Sequence, residues 1–295
     1  MVKVSSRQKI RGLLQLVRLP NIFTAMADIL AGALIVSGLS LNLVALLWLL
    51  LASSAIYGAG CVLNDIRDRR EDARTRPERP IPSGAVSPNQ ALVFCLLLFA
   101  VGLAAAAWAG RTSFLLAAIL TILVFTYDCL VKNIKILGPL AMAGCRSVNL
   151  LLGMSVNPSW TVFLVFPVLT LGYVYFLTWL GTFETGRKQG GERWLILSGF
   201  HLVLAGFLLL TVQGALKPGG LIFILAVCLM AGPPLWKSAL HPGPEAAGRC
   251  VKYLVLAIPV LDAAYVAGAQ HYLLALPVIC FLIPAMLFAK IFNVS

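Results

Sequence analysis

The sequence predicts an all-α fold, a single helical bundle over residues 1–295 that crosses a membrane nine or ten times. Three observations lead there. Hydrophobic residues make up 60% of the chain and charged residues 12%, with a mean hydropathy of +0.93, whereas soluble domains carry about 45–50% apolar and about 25% charged residues. The apolar residues fall into ten runs near the ~20 residues that a spanning helix requires. Lys and Arg are confined almost wholly to alternate loops. The composition excludes a soluble globular enzyme, a disordered chain and a nucleic-acid-binding module, despite the formal net charge of +12.

In order, the predicted spans are 20–39, 42–63, 89–109, 113–130, 137–154, 160–182, 194–213, 220–236, 251–268 and 272–289. The eighth is short, and the last two leave room for a tilted or re-entrant piece. Lys3, Arg7, Lys9, Arg11 and Arg18 precede the first run. A basic leader is shared with cleaved signal peptides, but this run is long and more spans follow, so a retained first helix is expected. With a cytoplasmic N-terminus, alternation puts 20 of the 23 Lys and Arg in cytoplasmic segments; Arg111 and Lys217 fall outside, and Arg146 lies within a span. The positive-inside rule therefore places both termini and every sizeable loop on the cytoplasmic side. The seven cysteines (Cys61, Cys95, Cys129, Cys145, Cys228, Cys250, Cys280) form no CxxC pattern and read as small apolar residues, with Cys250 in a basic loop. His201, His241 and His271 lack metal spacing and read as structural.

The longest loop, Asn64 to Pro88, contains Asp65, Asp68 and Asp72. If the second helix continues past the membrane edge, offsets of three and seven stack these carboxylates on one face. Such hard oxygen donors suit Mg²⁺, which binds through a few carboxylates, waters and substrate phosphates. Arg67, Arg69, Arg70, Arg74, Arg76 and Arg79 are interleaved, and guanidinium forks match phosphate oxygens; equally, they can simply pair with the aspartates in a solvated loop. Pro77, Pro80, Pro82 and Gly84 end the helix and turn the chain back. After the fourth span, Lys132 reads as a phosphate cation or as an interface anchor. After the sixth, Glu184 is the sole acid near the loop start, followed by Arg187 and Lys188, with Gly186, Gly190 and Gly191 loosening the backbone.

Charges at membrane depth are costly and face a cavity or a partner. Asp28 lies in the first span, Arg146 in the fifth beside Ser147 and Asn149, and Asp262 in the ninth. Arg146 either binds an anionic substrate or pairs with Asp28 or Asp262. Arg18 and Asn21 sit where the first helix enters the bilayer and, on spacing alone, read as interface anchors.

The string Asn64-Asp65-x-x-Asp68-x-x-x-Asp72, followed by Arg79-Pro80-Ile81-Pro82-Ser83-Gly84, resembles the NDxxDxxxD and RPxxSG segments of the UbiA superfamily of intramembrane prenyltransferases. Arg18-Leu19-Pro20-Asn21 is similar to that family's RPxN start, and Tyr127 with Leu130, Val131 and Lys132 resembles its Y-x-x-L-K segment. The resemblance implies a bundle around a central cavity open sideways to lipid. It implies Mg²⁺-dependent transfer of a prenyl group from a polyprenyl diphosphate to a small aromatic or similar acceptor, with the lipid bilayer as the other partner. Carried over, Asp65, Asp68 and Asp72 would hold Mg²⁺ and the diphosphate with help from Asn64. Lys132 and Arg79 would neutralise the diphosphate, and Tyr127 would sit near it. Asn21, Arg146, Asn149, Arg187 and Lys188 are further substrate-binding candidates, and Glu184 a further catalytic one. One departure stands out. In the second acidic motif Thr182 and Gly186 replace aspartates and only Glu184 remains, a pattern similar to EboC-like members. That departure keeps open a catalytically weak or inactive protein that binds or translocates an isoprenoid or aromatic metabolite.

Overall fold

A backbone crossing lipid must satisfy its own N–H and C=O groups, so apolar runs of this length become helices. The computed structural model describes residues 6–184 and 191–292. The helices are α1 (Ser6–Leu16), α2 (Leu19–Ser37), α3 (Leu43–Thr75), α4 (Pro88–Ala109), α5 (Arg111–Thr126), α6 (Leu137–Met154), α7 (Val165–Gly181), α8 (Glu192–Val212), α9 (Gly220–Leu240), α10 (Pro244–Ala269), α11 (Leu276–Ile279) and α12 (Leu282–Phe292). A π-helical turn, Tyr127–Val131, continues α5, and 3₁₀ turns cover Pro158–Phe163 and Tyr272–Ala275. Among the described residues, seven segments are long and apolar enough to cross a membrane by length and composition: α2, α3, α4, α5 with its π turn, α8, α9 and α10. The helix α6 matches the fifth predicted span, and α7 and the 272–288 segment are shorter apolar helices. Each of the ten predicted spans thus has a helical counterpart.

Four differences have plain causes. The basic N-terminal segment contains a separate helix, α1, whose Leu16 and neighbouring Val17 are buried while Ile10 is exposed; a one-sided apolar stripe of 11 residues is too short to count as a span. The eighth span runs on to Leu240 and is not short. The tenth is broken into a 3₁₀ turn, α11 and α12, where Pro277 and Pro284 cannot donate backbone hydrogen bonds. Finally, α10 starts at Pro244, a favourable first-turn proline. This lengthens the ninth span and puts Cys250 in a buried helical position instead of a loop.

Two hydrophobic clusters fill the bundle. One joins α1 to α5 and the other α6 to α11, and α2 contributes to both. The windows of α2 and α10 are mostly buried, whereas those of α4, α5, α8 and α9 are a third buried or less, presenting residues such as Leu97, Ile122, Leu202 and Leu229 outward as lipid requires. The α2 and α6 backbones touch. A Cβ on Gly32 would lie 2.4 Å from the Leu150 carbonyl oxygen, and one on Gly153 would lie 2.4 Å from that of Ile29. Small residues permit this approach of membrane helices.

The element that positions the candidate site is α3. Its start is capped by Asn42, whose side chain accepts from the Ala45 N–H at 3.1 Å. At 1.5 Å per residue, its 33 residues extend about 50 Å, well beyond the ~30 Å hydrocarbon core. Its last turns, carrying the three aspartates, therefore project from the membrane.

Candidate active site

Continuation of α3 through Thr75 stacks the aspartates as their spacing predicts. Asp65 and Asp72 are 6% and 5% exposed, and the side chain of Asp68 is 28% exposed. What buries them is the chain returning on itself. Beyond α3, Ser83 N–H donates to Arg79 O (2.9 Å), Gly84 N–H to Ile81 O (3.1 Å) and Val86 N–H to Pro80 O (3.0 Å). Gly84 adopts φ +77°, which only glycine reaches without strain. This compact turn lays Arg79 across the helix. Its Nη1 donates to Asp72 Oδ2 at 2.8 Å and to Asp65 Oδ1 at 3.4 Å.

Arg18 arrives from the opposite side, at the junction of α1 and α2. Its Nη2 donates to Asp65 Oδ1 at 3.0 Å. The residue holds φ 49°, ψ 56°, the left-handed region, and is the one non-glycine with positive φ among the described residues. Strained backbone of this kind persists where surrounding contacts enforce it. Asn21, in the first turn of α2, lies beside the Tyr57 side chain on α3.

The third wall is the π turn after α5. Such turns re-aim side chains and recur at functional sites. Here it points Asp128 inward, 8% exposed, to accept from Asn64 Nδ2 at 2.9 Å. It also brings Lys132 onto Asp68, and Arg67 Nη2 onto the Cys129 carbonyl at 3.4 Å. Tyr127 is half-buried beside Asp68 and Asp128.

The structure thus brings together Asn21, Asn64, Asp65, Asp68, Asp72, Arg79, Tyr127 and Lys132 in one polar cluster around the end of α3, which we call the mouth. Arg146 and Asn149 lie elsewhere, in a buried cluster at membrane depth. Arg146 Nε is 2.8 Å from Asp28 Oδ2, and Asn149 Nδ2 donates to the same oxygen at 2.8 Å. Glu184 follows α7 and lies against Gly248. Burial there pushes its carboxyl above the usual range, an effect that the nearby charge of Arg76, at the end of α3, reduces. Arg187 and Lys188 lie outside the described residues. On spacing alone the sequence reads Arg18 as an anchor and does not single out Asp128. Arg18 carried a signal in its Arg18-Leu19-Pro20-Asn21 string; Asp128 adjoins Tyr127, but the π turn that aims it leaves no periodic trace.

The donor set fits a hard divalent cation in part. Asp65 and Asp72 already converge on one positive charge, the Arg79 guanidinium, and all their donor atoms are carboxylate oxygens. Asp68 is instead engaged by Lys132, and among the described residues no three Asp, Glu, His or Cys side chains group as a metal cage. Two converging carboxylates suit Mg²⁺, which keeps waters and substrate phosphates as its other ligands.

The model of the UbiA prenyltransferase family matches residues 25–249. The chain belongs to this family. It is accordingly a multi-pass integral membrane protein. A digeranylgeranylglyceryl phosphate synthase of Methanococcus aeolicus is 27% identical over 285 residues, covering 88% of this chain and 98% of the relative. Other curated relatives with the same description match over shorter stretches, and there the chain spans about half of their length. Among solved structures, one described as digeranylgeranylglyceryl phosphate synthase in membranes shares the fold with a TM-score of 0.71 at 21% identity, covering 88% of this chain and 98% of that one. A UbiA homologue from Archaeoglobus fulgidus bound to GPP and Mg²⁺ superposes with a TM-score of 0.53 at 14% identity, over 91% of this chain and 99% of that one.

Proposed function

We propose that this chain transfers a prenyl group from a polyprenyl diphosphate to a small acceptor inside the membrane, with Mg²⁺ at the mouth formed by α2, α3 and the π turn. The observation that carries the reading is the pairing of Arg79 with both Asp65 and Asp72, beside Lys132 on Asp68, at the end of an apolar bundle. Acids that converge on a cation stand next to cations suited to phosphate oxygens. Family membership and the relative bound to GPP and Mg²⁺ support the same reading.

In the proposed reaction Asp65, Asp68 and Asp72 would hold Mg²⁺, steadied by Asn64. Bound there, the metal supplies Lewis-acid stabilisation of charge on the leaving diphosphate. Arg79, Lys132 and Arg18 turn from their carboxylate partners to diphosphate oxygens, adding fixed positive charge where negative charge grows. The allylic C–O bond breaks with its electron pair going to the diphosphate. The acceptor then donates a pair to the same carbon and loses a proton. The apolar interior withholds water, which would otherwise capture the allylic cation. Tyr127 and Asn21 line the approach to the reacting carbon.

On the sequence resemblance the acceptor is aromatic or similar; the names of the curated relatives point instead to a glyceryl phosphate. Incubation of purified protein with prenyl diphosphates of several lengths and both acceptor classes, with and without EDTA, tests the proposal by mass spectrometry. A prenylated product that needs Mg²⁺ supports transfer. Tight, Mg²⁺-dependent donor binding with no product from any pairing supports a second reading, binding without turnover. Thr182 and Gly186 favour that reading, because they leave Glu184 as the lone acid of the second motif.

A further inference from the structure

A second polar cluster sits apart from the mouth. Asp28 is nine residues into α2 and Arg146 nine residues into α6, a rise of about 14 Å and so near the middle of a ~30 Å hydrocarbon core. Asp262 of α10 joins them, its carboxyl within hydrogen-bonding reach of Asp28. Asp28 is fully buried and Asp262 is 1% exposed. On one side of Asp28 stand an ion pair and one hydrogen-bond donor, Asn149. Arg146 Nε lies 2.8 Å from Asp28 Oδ2, while its Nη2 donates to Thr24 O at 2.7 Å. Asn149 Nδ2 also donates to Asp28 Oδ2, and Ser53 Oγ donates to Asn149 Oδ1 at 2.7 Å.

The other side lacks donors. Asp28 Oδ1 and Asp262 Oδ2 are buried oxygens that no N–H or O–H of the described residues reaches. The charges are equally incomplete, because two carboxylates face one guanidinium. An uncompensated charge and two opposed acceptors are both costly in a dry interior, and one hydrogen ion between the acids removes both defects. We propose that Asp28 and Asp262 share a single proton, making this cluster a neutral proton-binding site at the centre of the membrane that ties α2, α6 and α10 together.

Charge arithmetic gives the test. Asp262→Asn removes the proton but leaves one carboxylate against one guanidinium, and its amide replaces the missing donor. The purified variant should melt within a few degrees of the native protein. Asp28→Asn with Asp262→Asn leaves Arg146 unpaired and should melt far lower, and adding Arg146→Gln should recover much of the loss. Infrared spectra of the native protein at neutral pH should show a protonated-carboxyl stretch that shifts in D₂O and is missing from Asp262→Asn. If Asp262→Asn melts as low as the double variant, Asp262 is needed as a charge and the proposal is wrong. It is equally wrong if the native spectrum lacks that stretch, or if NaCl stabilises the native protein where choline chloride does not, since a metal cation then fills the gap.

Discussion

Arg79 touches two aspartates seven residues apart because a proline-rich turn folds it back over its own helix, and the candidate site depends on that return. Arg79→Met should unpair Asp72 and weaken the hold on Asp65, leaving buried carboxylates without their main cation. We expect a loss of about 2 kcal/mol in stability and at least a tenfold weaker affinity for a prenyl diphosphate, read by thermal melting and by titration calorimetry. Arg18 separates the two readouts. Its left-handed backbone costs about 1 kcal/mol, which glycine relieves, so Arg18→Gly should keep near-native stability while losing the contact to Asp65 and part of the donor affinity. The sequence held the aspartates, Arg79 and Lys132 at legible spacings. It did not reveal Asp128, because only a π turn aims that side chain at Asn64, nor the strained conformation that commits Arg18 to Asp65.

Between elements, the closest approach of a glycine to a neighbouring backbone among the described residues is that of α2 and α6. A Cβ at Gly153 meets a backbone carbonyl at 2.4 Å, whereas one at Gly144, on the same helix, meets only the Leu123 side chain at 3.6 Å. Gly153→Ala should therefore destabilise by about 1–3 kcal/mol, and Gly144→Ala by far less, as measured by the fraction folded after heating in detergent. The same approach explains why Arg146 and Asn149 meet Asp28 and not the mouth: the glycines lock them against α2 at membrane depth. Span positions were readable because lipid enforces long apolar helices. The short helix α1 and the break at Pro277 and Pro284 were not, since neither shifts the average hydropathy of its run.

At the scale of the whole molecule, the mouth is built almost entirely by the first half of the chain. Asp65, Asp72, Arg79, Asn64 and Lys132 come from α3, its return turn and the π turn, while the second half offers Glu184 near Arg76. This asymmetry matches the replacement of the second acidic motif by Thr182 and Gly186. Thr182→Asp combined with Gly186→Asp should raise the rate of diphosphate release from a prenyl donor; an unchanged rate would mean that this loop does not limit ionisation. We propose, from the distribution of Lys and Arg along the sequence, that the end of α3 faces the cytoplasm. In sealed vesicles, a membrane-impermeant reagent added from the cytoplasmic side should modify a cysteine placed at Arg69, and from the other face it should not.

The central claim is that the mouth grips a diphosphate through a divalent ion held by the α3 aspartates. The most direct measurement is calorimetric titration of geranyl diphosphate into the purified protein with Mg²⁺ or EDTA, repeated with Asp65→Asn/Asp72→Asn. Binding that requires Mg²⁺ and vanishes in the variant, with its helical content intact by circular dichroism, is the predicted result. Equal affinity in EDTA, or equal Mg²⁺-dependent affinity in the variant, would contradict it.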